Sequence, residues 1–526
     1  MTSVDFAIAG SGINALVAAS LLSLKGKKVV VFERNGRIGG CIRTEEATAP
    51  GFHHDVMATT FVLFLLSPAY AALAQELEKR GLQFVHPEIP TGVLRPDGSS
   101  ALLRRDRKAN VRAFDALKPG DGQQFASDMD RLGANAPFLF ALLGGRLWSW
   151  AMAKTVAREA WKRGPRGLSA FFGEALGTAR NWLEPHYQSP LLHALLAPWV
   201  LHTGLGPEQA YSGQMAKVIA FALEAAGAPI VRGGAANILK AFEQLIRDHG
   251  GDIRVNADVA EVIVDDANVA SGVVLASGKK IMASEGVICS TTPAQLYTRL
   301  LANVPGCDTQ RREITGFVHG KGNMQMHYAL NAPLQWNNPE LAKVALLHLS
   351  SGLDGVSKAV NEAERGMLPA EPTICLGQPT SFDPSRAPDG KAILWLQLPE
   401  APRVIKGDAA GIIVTPQDGR WTADIREAYA DRVEAILAQH ITGFKASVIK
   451  RRCYSPADLE AMNINLVGGD PYGGYCGIDQ FFLWRPLRST ANHETPVKRL
   501  YHIGASTHPG PGLGGGSGFL LANALT

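Results

Sequence analysis

Residues 4–33 read VDFAIAGSGINALVAASLLSLKGKKVVVFE, and the order of the parts within them decides the fold. VDFAIA is a short apolar run that ends in glycine, the pattern of a strand buried in a parallel sheet. Gly10-Ser11-Gly12-Ile13-Asn14-Ala15 follows as a GxGxxA turn. Apolar residues then stand at helical density from 13 to 25, and Gly26 stops the helix. KVVVF at 28–32 is a second, β-branched strand that closes on Glu33. Strand, glycine turn, helix and strand within about 30 residues make a βαβ unit. Gly10 permits the tight turn, Gly12 leaves room for a pyrophosphate against the backbone, and small Ala15 lets helix and strand pack closely. The helix N-terminus, from Ile13 and Asn14, faces the phosphate charge. Glu33 ends the second strand, where a carboxylate accepts hydrogen bonds from ribose hydroxyls and disfavours a 2′-phosphate. These residues call for a dinucleotide without choosing between FAD and NAD.

At 526 residues the chain is too long for one core. With 46% hydrophobic and 19% charged residues it is globular, and a net charge of +4 gives no argument for nucleic acid. Six scattered cysteines form no CxxC or metal-type spacing, so buried free thiols in a reducing compartment are expected. The N-terminus has no basic, apolar leader pattern, and no window reaches ~18 uninterrupted apolar residues. A cytoplasmic location is the expectation. Residues 111–226 read mostly as helix. Strand patterns recur at 252–290, 320–349 and 390–399, with a hairpin turn at Ser277-Gly278. A helix is expected at 422–441, and RLYHIGAS is a strand entering a glycine-rich turn. The expected class is α/β: a discontinuous Rossmann-like domain (1–70, 229–300 and 475–526) and an α+β substrate domain (71–228 and 301–474) with a helical insert.

Arg34-Asn35-Gly36-Arg37-Ile38-Gly39-Gly40 directly follows Glu33. This E-R-x(4)-G-G pattern resembles the amine oxidase and phytoene desaturase flavoproteins, in which a second glycine pair wraps the FAD pyrophosphate. Those enzymes usually place arginine after the pair. Here Cys41 stands there, with Arg43 as the candidate substitute. Tyr501 to Gly515, YHIGASTHPGPGLGG, is similar to the closing FAD segment of the phytoene desaturase-like branch. The resemblance implies FAD contacts at Gly504, Ala505, Gly512 and Leu513 and a helix N-terminus near flavin O2. Gly233-Gly234 and the strand around Val259 resemble the segment that meets adenine. Phe382-Asp383-Pro384-Ser385-Arg386-Ala387-Pro388 echoes the same branch. The resemblance implies a non-covalently held FAD.

Flavin carries the redox chemistry, so the protein need supply only a shaped, dry pocket and a proton-handling group. HExxH, GxSxG and Walker A patterns are missing, as is a second dinucleotide fingerprint. His508 in the closing loop and His54 in Gly51-Phe-His-His-Asp55 are the candidate bases, weighed against packed histidines. Tyr475, Phe481, Phe482 and Trp484 stand as an aromatic wall or as core. The resemblance implies hydride transfer at flavin N5 that desaturates or saturates a carbon–carbon bond of an apolar small molecule, with oxygen or a quinone as electron acceptor. The alternatives are an amine or amino-acid oxidase, a non-catalytic flavoprotein, and a binding protein like the GDP-dissociation inhibitors. Tryptophans and basic residues in 137–166 suit either a peripheral membrane contact or a solvated helix packed on the core. A homo-oligomer is left open.

Overall fold

A computed structural model describes residues 3–526. Two seven-stranded sheets organise it. The first is built around strand Ser3–Ala9, which pairs in parallel with Val29–Phe32 on one side and Lys280–Ser290 on the other. Asp252–Arg254 extends the Val29–Phe32 edge in parallel. Strand 280–290 is shared lengthwise. Its first half takes the antiparallel hairpin from Ala270–Leu275 and its second half takes Leu500–Ile503 in parallel. Gly278, at φ +80°, makes the turn of that hairpin. Val259–Val264 closes this edge of the sheet.

Helix Ile13–Leu24 covers the sheet because nearly every residue on it is apolar or small, from Ala15 to Leu22. It is crossed by the last helix, Gly516–Leu525. The Asn14 side-chain oxygen accepts the backbone N–H of Ser517 at 3.2 Å, so the first turn of the chain caps its last helix. An added Cβ at Gly518 would lie 1.9 Å from the Asn14 carbonyl, which shows how closely the two helices approach.

The second sheet runs, in spatial order, 448–454, 322–330, 392–401, 374–377, 344–349, 89–94 and 100–103. All its pairings are antiparallel except 344–349 with 89–94. Helix Ala423–His440 packs on one face through Ile425, Tyr429, Val433 and Leu437. The expected helical stretch resolves into Arg107–Leu117, Asp121–Gly144, Trp150–Ala175, Ala179–His186, Pro190–Leu196, the tight turns Ala197–Thr203, and Ser212–Ala226. Five of the six cysteines are buried, Cys41 is partly exposed, and all are free.

Candidate active site

One large cavity, about 350 Å³, runs from the carboxyl ends of the parallel strands to the face of the second sheet. Its first end is the glycine turn. Gly10 has φ +91°, and a Cβ there would meet the Ser290 carbonyl oxygen at 2.8 Å, so this position is glycine for backbone reasons. Gly12 is different. Its φ of −64° suits any residue, and a Cβ would meet nothing closer than Ser290 Oγ at 4.0 Å. Its missing side chain leaves open space on the cavity wall. No side chain caps helix 13–24, so its first N–H groups are free for an anion. Gly40 lies against Gly12: a Cβ on it would sit 3.4 Å from the Gly12 Cα.

Glu33 is buried and fixes this end. One carboxylate oxygen accepts Ser11 Oγ–H at 2.6 Å and Ser11 N–H at 3.2 Å, and the other accepts Asn35 N–H at 2.9 Å. The Ser11 hydroxyl oxygen in turn accepts Gly39 N–H at 3.1 Å, joining the two glycine motifs. Remaining carboxylate lone pairs can serve ribose hydroxyls. Gly10, Gly12, Ile13, Asn14, Glu33, Arg34, Gly39, Gly40, Val259, Gly504, Ala505, Gly512 and Leu513 all line the cavity. Ala15 does not. It is fully buried under the turn, in the packing role its size suggests. Arg43 also lies off the wall, because Glu45 holds its guanidinium. Arg299, which carries no motif in the sequence, lines the wall instead and donates to the Val259 carbonyl at 3.0 Å.

Neither candidate base reaches the cavity, and both expectations are corrected. His54 is fully buried, bonded to Thr48 Oγ1 at 2.7 Å and edge-on to His327. Burial, then His327 and Arg386 nearby, lowers its pKa to about 2. His508 is bonded through Nε2 to the Gly145 carbonyl at 2.9 Å, and burial lowers its pKa to about 3. Both are packing groups of the kind buried neutral imidazoles make. Tyr475, Phe481, Phe482 and Trp484 are also off the wall. Phe481 sits in the core under the Arg485 guanidinium, 5.2 Å from its ring centre.

The wall opposite the glycine turn comes from elements that carry no recognisable motif. Strand 322–330 supplies Asn323 and Gln325, strand 392–401 supplies Trp395 and Gln397, strand 344–349 supplies Leu346, and the turns at 197–203 supply Trp199 and His202. The signal was present in GNMQMHYAL. Asn323, Gln325 and His327 alternate with apolar residues in a strand buried along its whole length. Polar groups at every second position of a doubly buried strand need a reason. Here Asn323 Oδ1 and Gln325 Oε1 have no protein partner. Trp395 is held by its Nε1–H, which donates to the Met57 carbonyl at 3.1 Å.

The pattern of the family described as flavin containing amine oxidoreductase matches residues 16–439. The chain belongs to that family. A rat protein named pyridine nucleotide-disulfide oxidoreductase domain-containing protein 2 is 29% identical, over 98% of this chain and 92% of its own length. A protein named as one part of the limonene dehydrogenase of Castellaniella defragrans is 25% identical, over 99% and 94%. A 4,4′-diapophytoene desaturase of Staphylococcus haemolyticus is 22% identical, over 97% and 96%. A putrescine oxidase structure superposes with TM-score 0.59 at 17% identity, covering 99% of this chain and 98% of that one, a likeness of fold. This member of the flavin amine oxidoreductase family is an FAD-dependent oxidoreductase of Rossmann-like α/β fold. The open space at Gly12, the uncapped helix and the Glu33 carboxylate fit FAD laid from the glycine turn toward the second sheet.

Proposed function

We propose that the enzyme desaturates or saturates a carbon–carbon bond in an apolar small molecule. The observation that carries this reading is the charge of the cavity wall. Its Asp, Glu, Lys and Arg residues are Glu33, Arg34, Asp258 and Arg299, all at the nucleotide end. The opposite end is lined by Trp199, Ile219, Leu346, Trp395, Met57 and Leu63 with the His202 imidazole and the neutral amides of Asn323, Gln325 and Gln397. A protonated amine would be desolvated there without a counter-ion, which is costly. An apolar substrate instead gains about 25 cal/mol for each Å² buried. Relatives named as part of a limonene dehydrogenase and as a diapophytoene desaturase agree with that chemistry. FAD, when bound, supplies the hydride acceptor or donor. The chain's own residues exclude water, hold the apolar body between Trp199 and the second sheet, and orient it toward Ala505 and Gly512. In desaturation the electrons pass onward from the reduced flavin to oxygen or a quinone; in saturation they run the other way, from an external reductant through the flavin to the substrate.

The test is anaerobic. Purified holoenzyme is mixed with a panel of terpenoid hydrocarbons and polyenes, and separately with primary and secondary amines, while the flavin band is followed. Bleaching by the hydrocarbons supports desaturation, and reoxidation of dithionite-reduced enzyme by enones supports saturation. Bleaching by amines alone overturns the reading.

We also propose that the exposed face of helix Trp150–Ala175 rests on an anionic membrane surface. Lys154, Arg158 and Lys162 recur every four residues on one exposed face, and Arg166 follows the kink at Gly164. Trp150 and Trp161 flank that face at 79% and 93% exposure. Tryptophan beside lysine and arginine suits the headgroup layer. Among the described residues no helix is long and apolar enough to cross a membrane.

A further inference from the structure

His202, His348 and Cys375 come from three separate elements: the turns Ala197–Thr203, strand Val344–Leu349 and strand Ile374–Gly377. Strand pairing sets His348 directly opposite Cys375, so both side chains leave the same face of the sheet. His202 closes over them. Its Nε2 lies 2.9 Å from His348 Nε2, and one nitrogen from each ring and the Cys375 sulfur all fall within 4.8 Å of one another. Trp199 packs on both rings, with centroids at 4.7 Å from His202 and 4.8 Å from His348, which fixes their orientation. His348 and Cys375 are fully buried, yet His348 Nδ1 has no hydrogen-bond partner. His54 and His508 also leave Nδ1 without a partner, so what distinguishes His348 is that a second imidazole and a thiol converge on it.

We propose that His202, His348 and Cys375 form a three-ligand site for a zinc-type divalent cation on the cavity wall. The donor set selects the metal. Two imidazoles and a thiolate suit Zn²⁺ or Co²⁺, and the missing carboxylates exclude the hard cations Mg²⁺ and Ca²⁺. Zinc bonds of about 2.0–2.1 Å to nitrogen and 2.3 Å to sulfur put tetrahedral ligand atoms roughly 3.3–3.7 Å apart. The candidate ligand atoms all lie within 4.8 Å of one another, so side-chain rotations that replace the contact between the two imidazoles by bonds to the metal bring them to that range. Binding exchanges the thiol proton of Cys375 for the metal and releases it to solvent. Three protein ligands leave a fourth position. Since His202 is the member that lines the cavity, that position falls on the cavity side, where an oxygen of a bound molecule becomes the fourth ligand. Unlike a free amine at this end of the cavity, the metal brings its own counter-charge in the Cys375 thiolate, and its occupancy is measured without reference to the carbon–carbon chemistry.

The test uses holoenzyme stripped with a chelator, equilibrated with Zn²⁺ and passed through a desalting column. Wild type is expected to keep about one zinc per chain, with X-ray absorption at the zinc edge showing one sulfur and two imidazole neighbours. His202→Asn, on the cavity wall, and Cys375→Ser are each expected to weaken retention about tenfold or more. Flavin absorbance reports in the same samples that both variants remain folded. Zinc retained equally by wild type and both variants, an all-nitrogen/oxygen shell, or no retained zinc would overturn the assignment.

Discussion

At the scale of single residues, Gly10 and Gly12 look equivalent in the sequence and are not equivalent in the molecule. Gly10 needs positive φ and lacks room for a methyl group, so Gly10→Ala combines roughly 1–2 kcal/mol of backbone strain with an overpacking cost of about 1–3 kcal/mol. Gly12→Ala strains nothing and points its methyl into the cavity. The expected outcome is a Gly12→Ala protein with unchanged denaturant midpoint that purifies with little FAD, and a Gly10→Ala protein with a lowered midpoint. Equal loss of stability in both would contradict the geometry. The glycines were legible because each motif is local and its spacing reports a backbone task. The bases were not. His54 and His508 sit in glycine-rich segments beside the cofactor site, but which way a ring turns depends on partners far away: Thr48 and His327 for one, Gly145 for the other.

At the scale of elements, the segment 382–388 shows why a family pattern can be structural. Arg386 is fully buried, and its guanidinium lies 2.9 Å from the Asp55 carboxylate. Asp55 also accepts Thr44 Oγ1–H at 2.6 Å and Ala235 N–H at 2.8 Å, while Asp383 accepts Gly233 N–H at 2.6 Å. The segment therefore bolts the second sheet to the glycine turn at 233–234. Arg386→Met leaves Asp55 buried without its cation, and a loss of about 3–5 kcal/mol in chemical denaturation is expected. Helix 150–175 carries the opposite kind of information, since only Met152 and Ala175 on it are buried. Its sequence already showed tryptophan among cations, and the structure adds that they share an exposed face. Replacing Lys154, Arg158, Lys162 and Arg166 by alanine removes about 1 kcal/mol of attraction each. Sedimentation with phosphatidylserine vesicles is expected to fall by two orders of magnitude or more for that variant, and wild-type binding is expected to weaken with salt. Wild type that ignores anionic vesicles would sink the membrane reading.

For the whole molecule, the parallel strands were readable, while of the second sheet only the strand patterns at 320–349 and 390–399 were and its pairing was not. Runs such as VDFAIA and KVVVF are buried on both faces and announce themselves. The pairing of strand 89–94 with 344–349 joins residues some 250 positions apart, and no local pattern encodes it. The far wall of the cavity is assembled in the same non-local way: Gln325 and Trp395 stand on strands 322–330 and 392–401, which pair with each other, and Trp199 and His202 come from the turns at 197–203. The same long-range closure buries imidazoles wholesale, and this sets the acid limit of the fold. Burial is the first cause lowering His54 to about 2, His327 and His508 to about 3, and His493 and His502 to about 4. In each case the folded pKa lies below the unfolded value of 6.5. The unfolded chain therefore binds more protons below pH 6.5, and stability falls as pH falls. Each such histidine adds up to about 1.4 kcal/mol of loss per pH unit between its two pKa values. Five acting together make the transition steep. The thermal midpoint is expected to hold between pH 7 and 8 and to drop sharply from about pH 6 toward 5, ahead of most carboxylate titration. His508→Asn, which keeps a polar group for the Gly145 carbonyl without a titrating ring, is expected to flatten that slope by about one proton. A slope unchanged in that variant would show that the ring is protonated in the folded protein and that the acid sensitivity has another origin.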